Sequence, residues 1–282
     1  MAKGRGNAGD RRPGAPPLAG IGGIALQGRA GMERRGQSGI PCSAAMRAGL
    51  RRELLHIATD LSALADNPND LRHGFDLLTR SYRTPAADAA RAALRAHPAI
   101  QPLLAERYWG PWPTKEALQA LPPGSLGQSY ARWFADAGGR PLPDPVLDPG
   151  TDGDDQWLHQ RVRHTHDLWH VVSGCPPTAA GEAALSAINV MQLRWPGSAM
   201  LVGADLMHRC LEGPLTGEPD LGEAVAYGLE LGARSGPLLA QRWEEGWGRP
   251  LADWREQLGI AAIVAQGPFA RAAAAAGAAG GG

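Results

Sequence analysis

The chain has 282 residues, enough for one large domain or two small ones. Lys plus Arg and Asp plus Glu both number 28, so the formal charge is zero and the basic stripe of a duplex nucleic-acid binder is not expected. A hydrophobic share of 44% supports a sizeable core, no run of about 18 apolar residues suggests a membrane span, and Gly and Pro show no collagen-like period. Three cysteines (Cys42, Cys175 and Cys210) form no C-x-x-C pair, so a reduced compartment is expected rather than a disulfide scaffold.

Residues 1 to about 45 are rich in Gly, Ala, Pro and Arg without apolar periodicity. Such a segment buries too little to offset its ordering entropy and reads as a disordered extension. Two origins are open: an over-long start with Met46 as the first true residue, or an Arg-rich targeting peptide whose Gly and Pro content argues against an amphipathic helix. Removing its seven basic and two acidic residues from 28 and 28 leaves 21 and 26, so the body is mildly acidic. The string Gly20-Ile21-Gly22-Gly23-Ile24-Ala25 matches a dinucleotide fingerprint only superficially, because a Pro-rich stretch precedes it where a strand is required.

The body reads as all-α, a multi-helix bundle with Pro/Gly-rich connections. Leu50, Leu54, Ile57, Leu61 and Leu64 recur at spacings of three and four over 46–65. Asn69 or Asp70 caps a second helix carrying Leu71, Phe75 and Leu78. Thr84-Pro85 opens a third helix that runs to about His97. A Pro-rich connection precedes a short helix at 125–136, and a second loop spans Gly138 to Gly153. Helices are predicted near 154–173, 178–195, 197–211, 220–234, 236–246 and 250–258, followed by an Ala/Gly tail that frays. One helical domain is thus expected over 46–260, with 261–282 as the low-complexity tail.

The chemistry concentrates in one place. On a helix, with His166 at zero, His170 falls at about 40° and Asp167 at about 100°. Two imidazoles one turn apart form a metal clamp, and Asp167 serves as a third ligand or as a carboxylate orienting an imidazole. Ser173-Gly174 and Pro176-Pro177 end that helix and turn the chain. Thr178 caps the next helix, whose first turns carry Glu182 back towards the same metal. Nitrogen and oxygen donors favour zinc, with manganese or iron as alternatives. Arg163, one turn before the ligands, reads either as a fork for a substrate carboxylate or as an ion-pair partner of Asp167 or Glu182. Glu182, Leu185, Ser186 and Asn189 share a face of the second helix. Cys175 reads as a small apolar residue. His159 and His164 are placed off the ligand face and, like His56, His73, His97 and His208, read as surface or core histidines. The apolar run Ala199 to Met207 is either core or a channel for a long ligand.

The pattern His166-Asp167-x-x-His170-x(11)-Glu182 resembles the H-D-x-x-H-x(11)-E signature of the ubiquinone biosynthesis protein 4 homologue family. Leu121 to Tyr130 with Trp133 resembles the family's segment before the motif. Trp243, Glu244, Glu245, Trp247, Pro250, Leu251, Trp254, Arg255, Leu258, Gly259 and Ile260 resemble its C-terminal helices. The resemblance covers roughly 46–260.

It implies an all-helical protein with a metal, usually zinc, on His166, Asp167, His170 and Glu182. It also implies association with a membrane surface and, in eukaryotes, with other ubiquinone-synthesis proteins. The implied site is the cytoplasmic face of a bacterial inner membrane, or the matrix side of the mitochondrial one. A homodimer is compatible with these properties, and no nucleic-acid partner is implied. The implied activity removes the ring-carbon-1 carboxyl of a 4-hydroxy-3-methoxy-5-polyprenylbenzoate, with or without a hydroxyl replacing it. The adjacent hydroxyl and methoxy oxygens suit chelation of a divalent Lewis acid, and Asp167 or a metal-bound water is the candidate general acid. Two rival readings remain. One is an HD-type phosphohydrolase, completed by His73 or His97 with Asp205. The other is a non-catalytic lipid-binding scaffold with a structural metal.

Overall fold

The structure is a computed structural model that describes residues 44–139 and 151–280. The Gly20–Ala25 string, nearly all of the expected disordered extension and most of the 138–153 loop lie outside the described residues. Among the described residues the protein is all-α, with no β-strand and one isolated bridge between Ser125 and Pro250.

The first three helices start where sequence chemistry places them. After α1 (Ala44–Asp66), Asp70 caps α2 (Leu71–Ser81) by accepting from the His73 N–H. Thr84 caps α3 (Pro85–Arg95) by accepting from Ala87 N–H, with Pro85 in the first turn. The Pro-rich connection, expected to be irregular, contains two short helices, α4 (Gln101–Glu106) and α5 (Lys115–Gln119). Their apolar residues Leu103, Leu104 and Leu118 are buried, so tertiary burial organises segments too short for a sequence period.

Ser125 caps α6 (Leu126–Asp136), and Asp152 caps α7 (Gly153–Ser173). Gly174, in the left-handed region at φ 71°, ends α7, and Thr178 caps α8 (Ala179–Leu193). The turn between them is tight: a Cβ on Gly181 would lie 1.9 Å from the Pro176 carbonyl oxygen. Then follow α9 (Pro196–Leu211) and α10 (Leu221–Arg234). Helices α8 and α10 touch backbone to backbone, since a Cβ on Gly228 would meet the Ala184 carbonyl oxygen at 2.1 Å.

The helix predicted over 236–246 does not form. The chain makes two single 3-10 turns, Leu238–Ala240 and Trp243–Glu245. Gly236 and Pro237 break the ladder, and the Leu238 N–H is taken by Gln192 Oε1. Trp243 and Glu244 are pulled inward instead. The chain ends in α11 (Leu251–Gln257), α12 (Ala261–Gln266) and α13 (Pro268–Gly280). The Ala-rich tail is thus helical up to Gly280, as alanine propensity favours. Val264 and Phe269 are buried, and the Phe269 ring lies 5.7 Å from that of Tyr227. No helix of the described residues is long and apolar enough to cross a membrane.

Helix α7 runs through the core and is braced from behind. Arg161 and Glu244, both with fully buried side chains, form a bidentate ion pair, and Arg161 Nη2 also donates to the Gln241 carbonyl at 2.7 Å. A buried charge without its partner is strongly destabilising, whereas an apolar pair of similar volume is tolerated. Glu244→Ala should therefore lower unfolding free energy by about 3–5 kcal/mol, and Arg161→Met combined with Glu244→Leu should recover most of it. Urea melts of the three proteins check this; a neutral single variant would be incompatible with the pair.

Candidate metal centre and its cavity

The α7–α8 turn brings three of the four predicted ligands together. Glu182 Oε1 lies 3.2 Å from His170 Nε2, and Glu182 Oε2 lies 3.9 Å from His166 Nε2. The potential ligand atoms of these three residues all lie within 4.8 Å of one another. The two imidazole centroids are 4.9 Å apart.

The outer ring nitrogens are engaged elsewhere. His166 Nδ1 lies 3.1 Å from Asp167 Oδ1, and His170 Nδ1 lies 3.3 Å from the Cys175 carbonyl oxygen. Both partners are acceptors and can hold a hydrogen on each Nδ1, which would leave the Nε2 lone pairs on the Glu182 side for an ion. Asp167 takes the orienting position in this arrangement, outside the His166–His170–Glu182 cluster. Trp133 stacks on His170 at 4.7 Å, and its Nε1–H donates to the same Cys175 carbonyl at 3.1 Å.

The fit to a divalent metal rests on one atom. His170 is fully buried, and its Nε2 has no hydrogen-bond partner. A buried lone pair of this kind is costly unless something occupies it. With Glu182 and His166 alongside, the donor set suits zinc, or manganese or iron. Burial alone would raise the Glu182 carboxyl, but in the metal-free site the positive charge of protonated His170 and His166 and a hydrogen bond from His170 draw it down to about 2. Cys175 is not among the clustered donors, and burial pushes its thiol up to about 12.

A cavity of about 150 Å³ opens beside the cluster, bounded by α1, α2, α7, α8 and α9. Arg163 lines it together with His166 and Glu182, and its guanidinium stacks over Phe75 at 4.9 Å. On α8, Ser186 and Asn189 line it, whereas Leu185 turns into the core. On α9, Leu201 and Asp205 line it, while Leu206 and Met207 are exposed. Burial, with the charge of Glu182, pushes the Asp205 carboxyl up to about 7. Neither His73 nor His97 lines this cavity, so the set proposed for an HD-type hydrolase is not assembled.

His159 is the residue that the sequence reading misplaced. It stands seven positions before His166, which is two helical turns and only about 20° around the axis. It therefore shares the ligand face and lines the cavity, 97% removed from solvent between Tyr82 and Trp195. His164 does lie on another face, 4.1 Å from the Trp112 ring. His208 is a core histidine whose Nδ1 meets the Ala65 carbonyl at 2.8 Å.

The all-α fold brings His166, His170 and Glu182 from two consecutive helices together beside a cavity, an arrangement that could hold a divalent ion. The family model described as "Coenzyme Q (ubiquinone) biosynthesis protein Coq4" matches residues 79–263, and the chain belongs to that family. It is 27% identical over 229 residues to the mitochondrial ubiquinone biosynthesis protein COQ4 homolog 1 of Culex quinquefasciatus, covering 76% of this chain and 77% of that one. It is 30% identical over 154 residues to the COQ4 homolog of Drosophila ananassae, covering 52% and 54%. The chain thus spans about half the length of several curated relatives that it matches. The crystal structure of a putative ubiquinone biosynthesis protein from Nostoc punctiforme is similar, with a TM-score of 0.62 and 29% identity, covering 75% of this chain and 98% of that one.

Burial, aided by the positive charges of Arg91 and Arg163 against the pull of Asp155, pushes the His159 imidazole down from 6.5 to about 4. The unfolded chain then binds the proton first, so this stability is complete above pH 6.5 and is lost as pH falls towards 4. The full loss is roughly 3 kcal/mol. Urea melts at pH 7 and pH 4.5 should show a smaller acid loss for His159→Phe than for the native chain; equal losses would remove His159 as the cause.

Proposed function

We propose that this protein acts in ubiquinone biosynthesis as a metal-dependent carboxy-lyase on 4-hydroxy-3-methoxy-5-polyprenylbenzoate. The observation that carries the reading is the unpartnered, buried Nε2 of His170, set against Glu182 at the wall of a cavity sized for one aromatic ring. A cavity of about 150 Å³ has room for an aromatic ring, and its open side would let the polyprenyl tail run outward.

His166, His170 and Glu182 would hold the ion, with Asp167 fixing the His166 ring. A divalent ion there supplies a Lewis acid for an oxygen-bearing ring substituent. Arg163, on the cavity wall, offers a guanidinium to the substrate carboxylate. In the reaction a proton is added at ring carbon 1, the bond to the carboxylate breaks, its electron pair restores the aromatic ring, and carbon dioxide leaves. Asp205, on the cavity wall, is the carboxyl group placed to deliver that proton, whereas Asp167 stands behind His166 and does not line the cavity.

The tail sets the location. Each buried methylene contributes about 0.8 kcal/mol, so a polyprenyl substrate resides in a bilayer and the protein works at its surface. Leu71 borders the cavity and is exposed, as are Leu54, Leu55, Leu206 and Leu211 on α1 and α9. These side chains suit peripheral contact with lipid at the cytoplasmic face of an inner membrane, or its mitochondrial counterpart. Other ubiquinone-synthesis proteins are the expected partners there.

Zinc-loaded protein should release carbon dioxide from the prenylated substrate. Glu182→Ala should lose both zinc and turnover, whereas Arg163→Ala should raise KM at least tenfold with zinc content unchanged. Absence of carbon dioxide from the metal-replete protein, with and without oxygen, would defeat the lyase reading. Parallel loss of zinc in Arg163→Ala would make that residue structural.

A further inference from the structure

The cavity lies on the seam between two apolar cores. Leu64, Leu77 and Ala204, with Leu61 and Leu201 packed against them, form a cluster of their own between α1, α2 and α9, separate from the main core that holds α7 and α8. The cavity walls are divided in the same way. His166, Arg163 and Glu182 stand on the α7–α8 side. The facing wall is mostly apolar, with Leu64, Phe75, Leu78 and Leu201, and with Asp70 and Asp205 as its carboxylates. Leu71, which is 65% exposed, carries that apolar wall out to solvent. Walls divided in this way suit a ligand with a polar head and an apolar tail.

One position in the apolar wall has no side chain. Gly74 sits inside α2, where glycine is less favourable than alanine because it loses more conformational freedom on folding. A helical glycine commonly answers one of two demands, a left-handed backbone or the close approach of a neighbour. Gly74 answers neither. Its φ is not positive, and a Cβ there would find nothing nearer than the Leu64 and Leu201 methyl groups, each at 4.0 Å. Gly197 shows the contrast, since a Cβ on it would lie 2.5 Å from Ser81 Oγ and 3.2 Å from Leu78 Cα. The two methyl groups facing Gly74 belong to cavity-lining side chains, so the space left open at this position is part of the cavity. The neighbouring Phe75 ring lies under the Arg163 guanidinium at 4.9 Å, which places the gap next to the polar side.

We propose that Gly74 keeps open a passage for the isoprenoid tail of the substrate, which leaves the ring between Leu64 and Leu201 and emerges past Leu71. The proposal deepens the function argued above and rests on its prenylated substrate. The tail is meta to the carboxylate. A ring whose carboxylate meets Arg163 therefore carries its tail on a flank, and the flank with apolar room is the one bounded by α1, α2 and α9. Gly74 is thereby a specificity-determining residue, separate from the groups that would hold the ion.

The test uses the full, zinc-loaded chain and two probes, 4-hydroxybenzoate and 3-geranyl-4-hydroxybenzoate, which differ only in the geranyl chain. Affinities are measured by titration calorimetry. The native chain should bind the geranylated acid at least about tenfold more tightly. Gly74→Leu should reduce that preference to about twofold or less, while zinc content and affinity for 4-hydroxybenzoate stay native. Leu201→Phe narrows the same passage from α9 and serves if Gly74→Leu does not fold. Leu211→Gln, on an exposed part of α9 outside the cavity, should keep the full preference. Gly74→Ala should raise Tm by about 2–4 °C, because neither packing nor conformation requires the glycine. The passage would be overturned by a native chain without preference, by a folded Gly74→Leu or Leu201→Phe chain that keeps it, or by its loss in Leu211→Gln. Equal loss of both acids in Gly74→Leu would assign the space to the ring, and a lower Tm in Gly74→Ala would make the glycine structural; either result overturns the passage. The expected binding pattern without carbon dioxide release from the prenylated substrate would instead defeat the lyase reading and leave the passage standing.

Discussion

The contact of one carboxylate with two imidazoles governs everything else in the molecule's chemistry. Glu182 reaches His170 and His166 only because the chain reverses within the five residues 174–178 that separate α7 from α8. Gly174 in the left-handed region makes that reversal without the clash a Cβ would bring, and Pro176-Pro177 prevents α7 from continuing. The absence of a side chain on Gly181 then lets the first turn of α8 press against the Pro176 carbonyl. Spread over a longer loop, the same donors would share no volume for an ion.

A second constraint acts at right angles to the first. The imidazoles are fixed by what lies behind them, the Asp167 carboxylate and the Cys175 carbonyl, and His170 is further clamped by the Trp133 ring. Outer hydrogen bonds of this kind set the tautomer and hence which nitrogen faces the cavity. Protein groups thus orient the imidazoles, and a cavity of about 150 Å³ opens beside them. Leu71, exposed to solvent, borders that cavity.

Much of this was legible in the sequence, for a physical reason. Long helices with side-chain caps at Asp70, Thr84, Ser125 and Thr178 announce themselves through local chemistry, and the i, i+4 histidines need only helical geometry to meet. The helices α4 and α5 were not legible, because six and five residues carry no readable period. The stretch 236–246 was misread because its apolar spacing is helical while its conformation is set by distant partners, Gln192 and Arg161. His159 is a different kind of miss. Its seven-residue spacing from His166 was available from the sequence, but its enclosure by Tyr82 and Trp195 comes only from the fold.

The last turn of α7 is held by groups from far along the chain. Arg255 donates to the carbonyls of Val172 and Val171 at 3.0 and 3.2 Å, and the Tyr227 hydroxyl donates to that of Ser173. Those carbonyls are the unpaired end of the helix that presents His170. During translation the histidines therefore leave the ribosome more than eighty residues ahead of Arg255, the arginine that secures their scaffold. A nascent chain halted between the two exposes the imidazoles on an unfinished helix end.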